Sequence, residues 1–409
     1  MKLTIKSLHK SLLIIIAASV CCKQTCAINL VKEKTLYYDN KSSLCFDDIL
    51  IKNKKLLCYG GIENLSSFPE ELLDNVDVIF PFSEAKNYFL NQDEITSKKH
   101  VFFTASNPNN EIIGTVTRNS NGKNFIDLCN TSFMPIKEIK MRKLYLKPTK
   151  IYYTPDGKYL VALTYYSWYD NRGEENHKKF FIEIIDPNKK QIISSYEIDH
   201  RIPKHSEFRD MGDIGPDKDI DYLLIPDNQH IVYISDCFDS EYYSGKHYGE
   251  YYFEILRLNQ QTLCIKKIKD FKKEEALYQV LADELKKNKF VRPLYIDIKN
   301  GYFLLHFESE NCIKKYSSTE QKYSASIDDI NLFNSHFLRG NQVALFPNTY
   351  FAIYDYKKNM VQLFDFDLKK LAETEMPYCE SLQFSDDGKK LIATKNKKIT
   401  IITVEFIRQ

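Results

Sequence analysis

One short pattern recurs along this chain and restricts its fold more than any other feature. Residues 381–406 read SLQFSDDGKKLIATKNKKITIITVEF, three short apolar runs parted first by Asp-Asp-Gly-Lys-Lys and then by Lys-Asn-Lys. Residues 151–163 repeat the pattern as IYYTPDGKYLVAL. Alternating apolar residues bounded by Asp and Gly turns read as antiparallel strands. One such hairpin cannot bury its apolar faces alone, so repetition requires neighbours that stack on it.

Taking strand, turn, strand, loop, strand, turn, strand as the unit, the whole chain can be parsed with few gaps. The units cover about 48–92, 100–142, 151–199, 221–270, 293–326, 341–378 and 380–406. The first is the least clear, and the fifth ends in an ambiguous polar stretch to Ser326. The last supplies only three strands before Gln409, and the strand material within 28–46 is its natural fourth, which would leave no open edge there. The expectation is an all-β chain, a seven-bladed β-propeller closed by an N-terminal strand, with one inserted helix. Six or eight blades would follow if one weak unit is misparsed.

The strand–turn–strand units resemble the WD-repeat and YVTN-type propellers over nearly all of the chain after residue 27. Where true WD repeats carry Trp-Asp, this chain has Ile185-Asp186, Phe364-Asp365 and Val404-Glu405. The resemblance implies a rigid binding platform, since most members of the class bind and only some are enzymes. Some YVTN-like members are lactonases that use carboxylate, His and Arg groups near the central channel, and no residue here is assigned to that constellation.

The N-terminus carries Lys2, Lys6 and Lys10, an apolar run over 12–20, and Thr25-Cys26-Ala27. That is the form of a secretory signal cleaved after Ala27, so 1–27 reads as a signal peptide and 28–409 as a single exported domain. A lipid anchor at Cys21 or Cys22 is the weaker alternative, because Val20 or Cys21 before it fits a lipobox poorly. The apolar run is too short to span a membrane comfortably, and no later segment approaches that length. Of the ten cysteines, Cys45, Cys58, Cys129, Cys237, Cys264, Cys312 and Cys379 remain, scattered without CxxC spacing, and read as small buried strand residues, with one or two disulfides of unassigned pairing as the alternative outside the cell.

The net charge of +2, with no long basic block, gives no electrostatic case for nucleic acid. Asp217, Asp219 and Asp221 alternate as in a calcium loop, but Tyr222 and Asn228 stand where that loop needs Gly and Glu. His200 and His205 lack the convergent ligands that a metal requires. No nucleophile elbow, HExxH or phosphate-binding Gly loop is present. The expectation is therefore no metal and no cofactor.

The turns within the units are tight, and the extra residues fall on connections at the opposite face. Those insertions are residues 165–179, 200–220, 236–250 and 271–292, all in the third to fifth units. Long loops on a rigid scaffold are where binding resides. Two carry Tyr165, Tyr166, Trp168, Tyr169, Arg172, His177, Tyr242, Tyr243, His247 and Tyr248, residue types that dominate interface hot spots. The fourth reads as a helix with Ala276, Leu277, Val280, Leu281 and Leu285 on one stripe. The functional expectation is a secreted, non-catalytic, monomeric scaffold that binds a protein or peptide there. The alternative is a hydrolase or lactonase-like enzyme with a site at the channel mouth of that face.

Overall fold

The computed structural model describes residues 27–37, 48–52, 55–59, 100–109, 112–118, 124–130, 135–139, 146–169, 176–198, 222–239, 248–259, 261–288, 291–332, 342–377, 379, 381–385, 388–395 and 398–407. Its strands form six four-stranded antiparallel sheets and one two-stranded sheet. The first four-stranded sheet holds β4 (His100–Ser106), β5 (Ile113–Arg118), β6 (Asn124–Cys129) and β7 (Pro135–Ile139). The second holds β8 (Lys147–Tyr153), β9 (Leu160–Tyr169), β10 (Asn176–Asp186) and β11 (Gln191–Glu197). The third holds β12 (Tyr222–Leu224), β13 (His230–Asp239), β14 (Tyr248–Asn259) and β15 (Cys264–Lys267).

The fourth sheet consists of β16 (Val291–Asp297), β17 (Tyr302–Phe307), β18 (Cys312–Ser317) and β19 (Lys322–Ile327). The fifth consists of β20 (Val343–Phe346), β21 (Tyr350–Asp355), β22 (Met360–Phe364) and β23 (Lys370–Glu375). In the sixth, β24 (Ser381–Phe384), β25 (Lys390–Lys395) and β26 (Lys398–Ile407) are completed by β1 (Ala27–Tyr37). The two-stranded sheet is β2 (Asp48–Lys52) with β3 (Lys55–Tyr59).

Strand alternation explains why the sheets must stack. Successive side chains leave opposite faces of a strand, and here both faces are apolar. On β17, Phe303, Leu305 and Phe307 share a core with Val232 and Ile255 of the preceding sheet. The intervening Tyr302 and Leu304 share another with Phe351 and Phe364 of the following sheet. The same division occurs on β9, where Val161 and Leu163 pack toward the third sheet and Leu160 and Ala162 toward the first. Each middle sheet is thus sandwiched between its sequence neighbours. β2 lies against both β4 and β24, between the first and last four-stranded sheets. This layout fits a propeller-like fold.

The tight turns do more than reverse the chain. Asn107 donates its amide to the carbonyl of Gly157 at 2.7 Å, and Asn228 accepts the N–H of Asp156 at 2.9 Å. These contacts link the turns of the first, second and third sheets in sequence. Between the fifth and sixth, the Tyr350 hydroxyl donates to the Gly388 carbonyl at 2.6 Å. Gly388 has φ +69°, and a Cβ there would come within 2.6 Å of Tyr350 Oη, so both backbone and space require glycine.

A second repeat lies in the third strands. Ile126-Asp127-Leu128, Ile182-Glu183-Ile184, Phe253-Glu254-Ile255 and Val361-Gln362-Leu363 each set one buried polar side chain between apolar neighbours. Burying such a group is costly unless it is hydrogen-bonded. Each has a partner on an adjacent strand. Thr117 donates to Asp127 at 2.7 Å, Ser195 to Glu183 at 3.0 Å, Lys267 to Glu254 at 2.7 Å, and Gln362 donates to Glu373 at 3.0 Å.

Helix α1 (Ala276–Lys287) buries Leu277, Tyr278, Leu281, Ala282 and Leu285, while Ala276 is exposed. Leu277, Leu281 and Leu285 of the expected stripe are thus buried, Val280 packs partly buried against the same core, and Tyr278 and Ala282 widen the buried face. The helix is part of the core shared by the third and fourth sheets. The polar stretch after Phe307 forms β18 and β19, whose half-buried faces lack the apolar runs that mark the other strands. Two expected loops are strand wherever the structure describes them. Residues 165–169 continue β9, 176–179 open β10, 236–239 continue β13, and 248–250 open β14. The aromatic rows there favour extended backbone, and cross-strand pairing continues beyond the core.

Candidate functional site

The two aromatic-rich insertions are extended hairpins on neighbouring sheets. β9, β10, β13 and β14 run for 10, 11, 10 and 12 residues, against 4 to 7 in the sheet of β16–β19 and that of β20–β23 combined. In the β9–β10 ladder Tyr165 stands opposite Phe180, Tyr166 opposite Lys179, Trp168 opposite His177 and Tyr169 opposite Asn176. In the β13–β14 ladder Tyr248 stands opposite Asp239. A single core cluster joins the bases of the two hairpins, with Phe180 and Ile182 of one and Tyr233 and Leu256 of the other.

Tyr165 and Tyr166 are half-buried at the point where the hairpin leaves that core. The Tyr165 ring lies 6.1 Å from that of Phe180, and Lys147 Nζ sits 5.7 Å over it. Trp168, Tyr169, His177 and Tyr248 have the backbone positions just given. Arg172, Tyr242, Tyr243 and His247 lie outside the described residues, as do residues 200–220 with their Asp and His groups.

A constellation that the sequence reading did not single out joins the third sheet to helix α1. His230 opens β13, next to the turn containing Asp227. Its Nδ1 lies 2.9 Å from Asp227 Oδ2 and its Nε2 lies 3.0 Å from Glu275 Oε1. Arg257 Nε donates to Glu275 Oε1 at 2.6 Å, with a second bond from the guanidinium to Oε2. The backbone N–H of Lys272 donates to Glu275 Oε2 at 2.9 Å, and the Tyr278 hydroxyl to Asp227 Oδ2 at 2.9 Å. The rings of His230 and Tyr278 lie 4.2 Å apart.

The electrostatics follow from that geometry. Burial alone would push the His230 imidazole down, but the Asp227 and Glu275 carboxylates outweigh it and hold it above its ordinary value. Burial pulls Glu275 upward, and the donors Arg257, Lys272 N–H and His230 overcome this, bringing it down to about 2. Asp227 is likewise lowered, against its burial, by His230, the Gln229 N–H and Tyr278. A charged imidazolium between two carboxylates donates through both nitrogens, so this acid–base-like cluster spends its donors on itself. Its role is to clamp the helix. Its members lie 45 residues apart, and no local spacing announces them.

Among the described residues no group of three or more His, Cys, Asp or Glu could hold a metal ion. Among the described residues Cys264 and Cys312 are free thiols, and burial pushes Cys312 up to about 11. No helix among the described residues is long and apolar enough to cross a membrane.

No protein-family model matches this chain, and no curated protein matches it either. Among solved structures the chain is similar to one in the crystal structure of the mitotic checkpoint complex, at 8% identity and a TM-score of 0.36, over 74% of this chain and 86% of that one. A likeness of that size sets neither family nor function.

Proposed function

We propose that this chain is an exported, non-catalytic, seven-bladed β-propeller whose two extended hairpins bind a protein or peptide partner. The blade count takes the two-stranded sheet β2–β3 as part of a seventh blade beside the six four-stranded ones. The observation that carries the binding reading is the pair of hairpins β9–β10 and β13–β14. They spring from adjacent sheets with a shared core, and their outer halves bear the aromatic, His and Lys positions. Rigid strands presenting Tyr and Trp lose little conformational entropy on binding, which favours recognition.

The test is a pull-down from the native compartment with wild-type protein and a Trp168→Ala, Tyr242→Ala double variant. Loss of a partner from the variant, with folding intact, supports the reading. Equal recovery of every partner by both proteins overturns it.

A further inference from the structure

The tight turn between β16 and β17 holds an Asn-Gly pair, Asn300-Gly301. The chain's other such pair, Asn121-Gly122, lies outside the described residues. In an Asn-Gly pair the backbone nitrogen reaches the preceding side-chain amide most easily, because glycine puts no side chain in the way. Here the fold itself demands that glycine. Gly301 has φ +67°, and a Cβ on it would come within 2.3 Å of Ser318 Oγ. Its carbonyl oxygen accepts the Ser318 N–H at 2.8 Å, which pins it against the turn between β18 and β19.

Asn300 is exposed but held at two points by one carboxylate. Asp297, 6% exposed, accepts the Asn300 backbone N–H on Oδ1 at 2.9 Å and the Nδ2 amide on Oδ2 at 2.9 Å. Loss of that amide as ammonia requires the bond from Nδ2 to Asp297 to be given up. A short exposed turn opens at far less cost than the whole chain unfolds.

We propose that Asn300 is a deamidation site guarded by Asp297, reacting when the β16–β17 turn opens. In the open turn the Gly301 nitrogen gives its proton to solvent base and attacks Asn300 Cγ. The new C–N bond closes a succinimide ring, the Cγ–Nδ2 bond breaks, and ammonia leaves with a proton from solvent. Water then opens the ring at either carbonyl and leaves aspartate or isoaspartate. The net change is one water consumed and one ammonia released, with no oxidation or reduction. The product fits the turn poorly. A carboxylate replaces the donor that Asp297 accepted, so two acids face each other. Isoaspartate also lengthens the backbone by one atom, which mismatches the bond between Gly301 and Ser318. The site rests on nothing in the hairpin reading.

The experiment incubates the full chain at alkaline pH and follows Asn300 by peptide mapping. It reads the mass gain of amide-to-acid conversion and methyl uptake by an isoaspartate methyltransferase. Wild type unfolded in urea is expected to convert at least about tenfold faster than folded wild type, a comparison that needs no variant to fold. Asp297→Ala, checked for native circular dichroism, is expected to convert about tenfold faster than folded wild type. Asn300→Gln, which would have to close a larger ring, is expected to lose the methyl uptake at this position. Asn300→Asp, standing for the product, is expected to melt below wild type. No conversion at Asn300 in the unfolded chain, or equal rates in folded and unfolded wild type, would overturn the proposal. An unchanged rate in folded Asp297→Ala would overturn it as well.

Discussion

His230 Nε2 meets Glu275 Oε1 at 3.0 Å, so the first residue of β13 and the residue preceding helix α1 are held in one buried ion pair. His230 is 7% exposed and Glu275 is 3% exposed. A buried pair adds little over apolar packing, but removal of one partner leaves the others charged and unpaired.

Glu275→Ala is therefore expected to cost about 3 kcal/mol of stability, because Arg257 and the Lys272 N–H lose their carboxylate and His230 keeps only Asp227. Urea denaturation of Glu275→Ala, His230→Ala and the double variant measures the coupling. Additive losses would mean that the pair does not hold the helix.

His306 predicts a pH dependence of opposite sign to that of His230. It stands opposite Arg292 in the β16–β17 ladder, and burial together with that guanidinium pushes it down to about 3 from 6.5. Its two ring nitrogens have no hydrogen-bond partner among the described residues. Below pH 6.5 the unfolded chain takes up a proton that the folded chain refuses. Stability then falls with falling pH toward about 3, at about 1.4 kcal/mol per pH unit. His306→Leu should make the decline just below pH 6.5 shallower. The raised His230 contributes stability that is full below 6.5 and lost as pH rises through its raised value, so His230→Ala should alter the alkaline limb instead. Thermal melts across pH separate the two.

Closure of the sixth sheet by β1 predicts that the two ends of the chain are energetically linked. The ladder runs from Ala27 opposite Ile407 to Tyr37 opposite Lys398, and Leu30 is buried in the core shared with the fifth sheet. Leu30→Ala is expected to cost about 2–3 kcal/mol. Deletion of residues 27–37 should bare the edge of β26 and produce concentration-dependent aggregation, read by light scattering. A monodisperse deletion variant with unchanged melting would show that the pairing is dispensable.

Much of the strand pattern was legible because its causes are local. The turns TPDGK and SDDGK contain Gly157 and Gly388, both at positive φ, and the flanking alternation made β8–β9 and β24–β25 readable. The fourth sheet was less so, since CIKKYS and KYSASI form half-buried strands without an apolar run. The third-strand acids Asp127, Glu183 and Glu254 were in plain view as apolar–acid–apolar triplets. Their meaning needed partners on adjacent strands.

The candidate site divides the same way. Tyr165 and Tyr166 were identified as residue types, but their placement on a strand and not in a loop depended on pairing with Lys179 and Phe180. Local chemistry determined turns, alternation and the apolar stripe of α1, since a few neighbouring residues set each of them. Tertiary structure alone decided that α1 joins the core of two sheets and that His230 meets Glu275. Those contacts join residues tens of positions apart, and their energy exists only once the sheets have stacked.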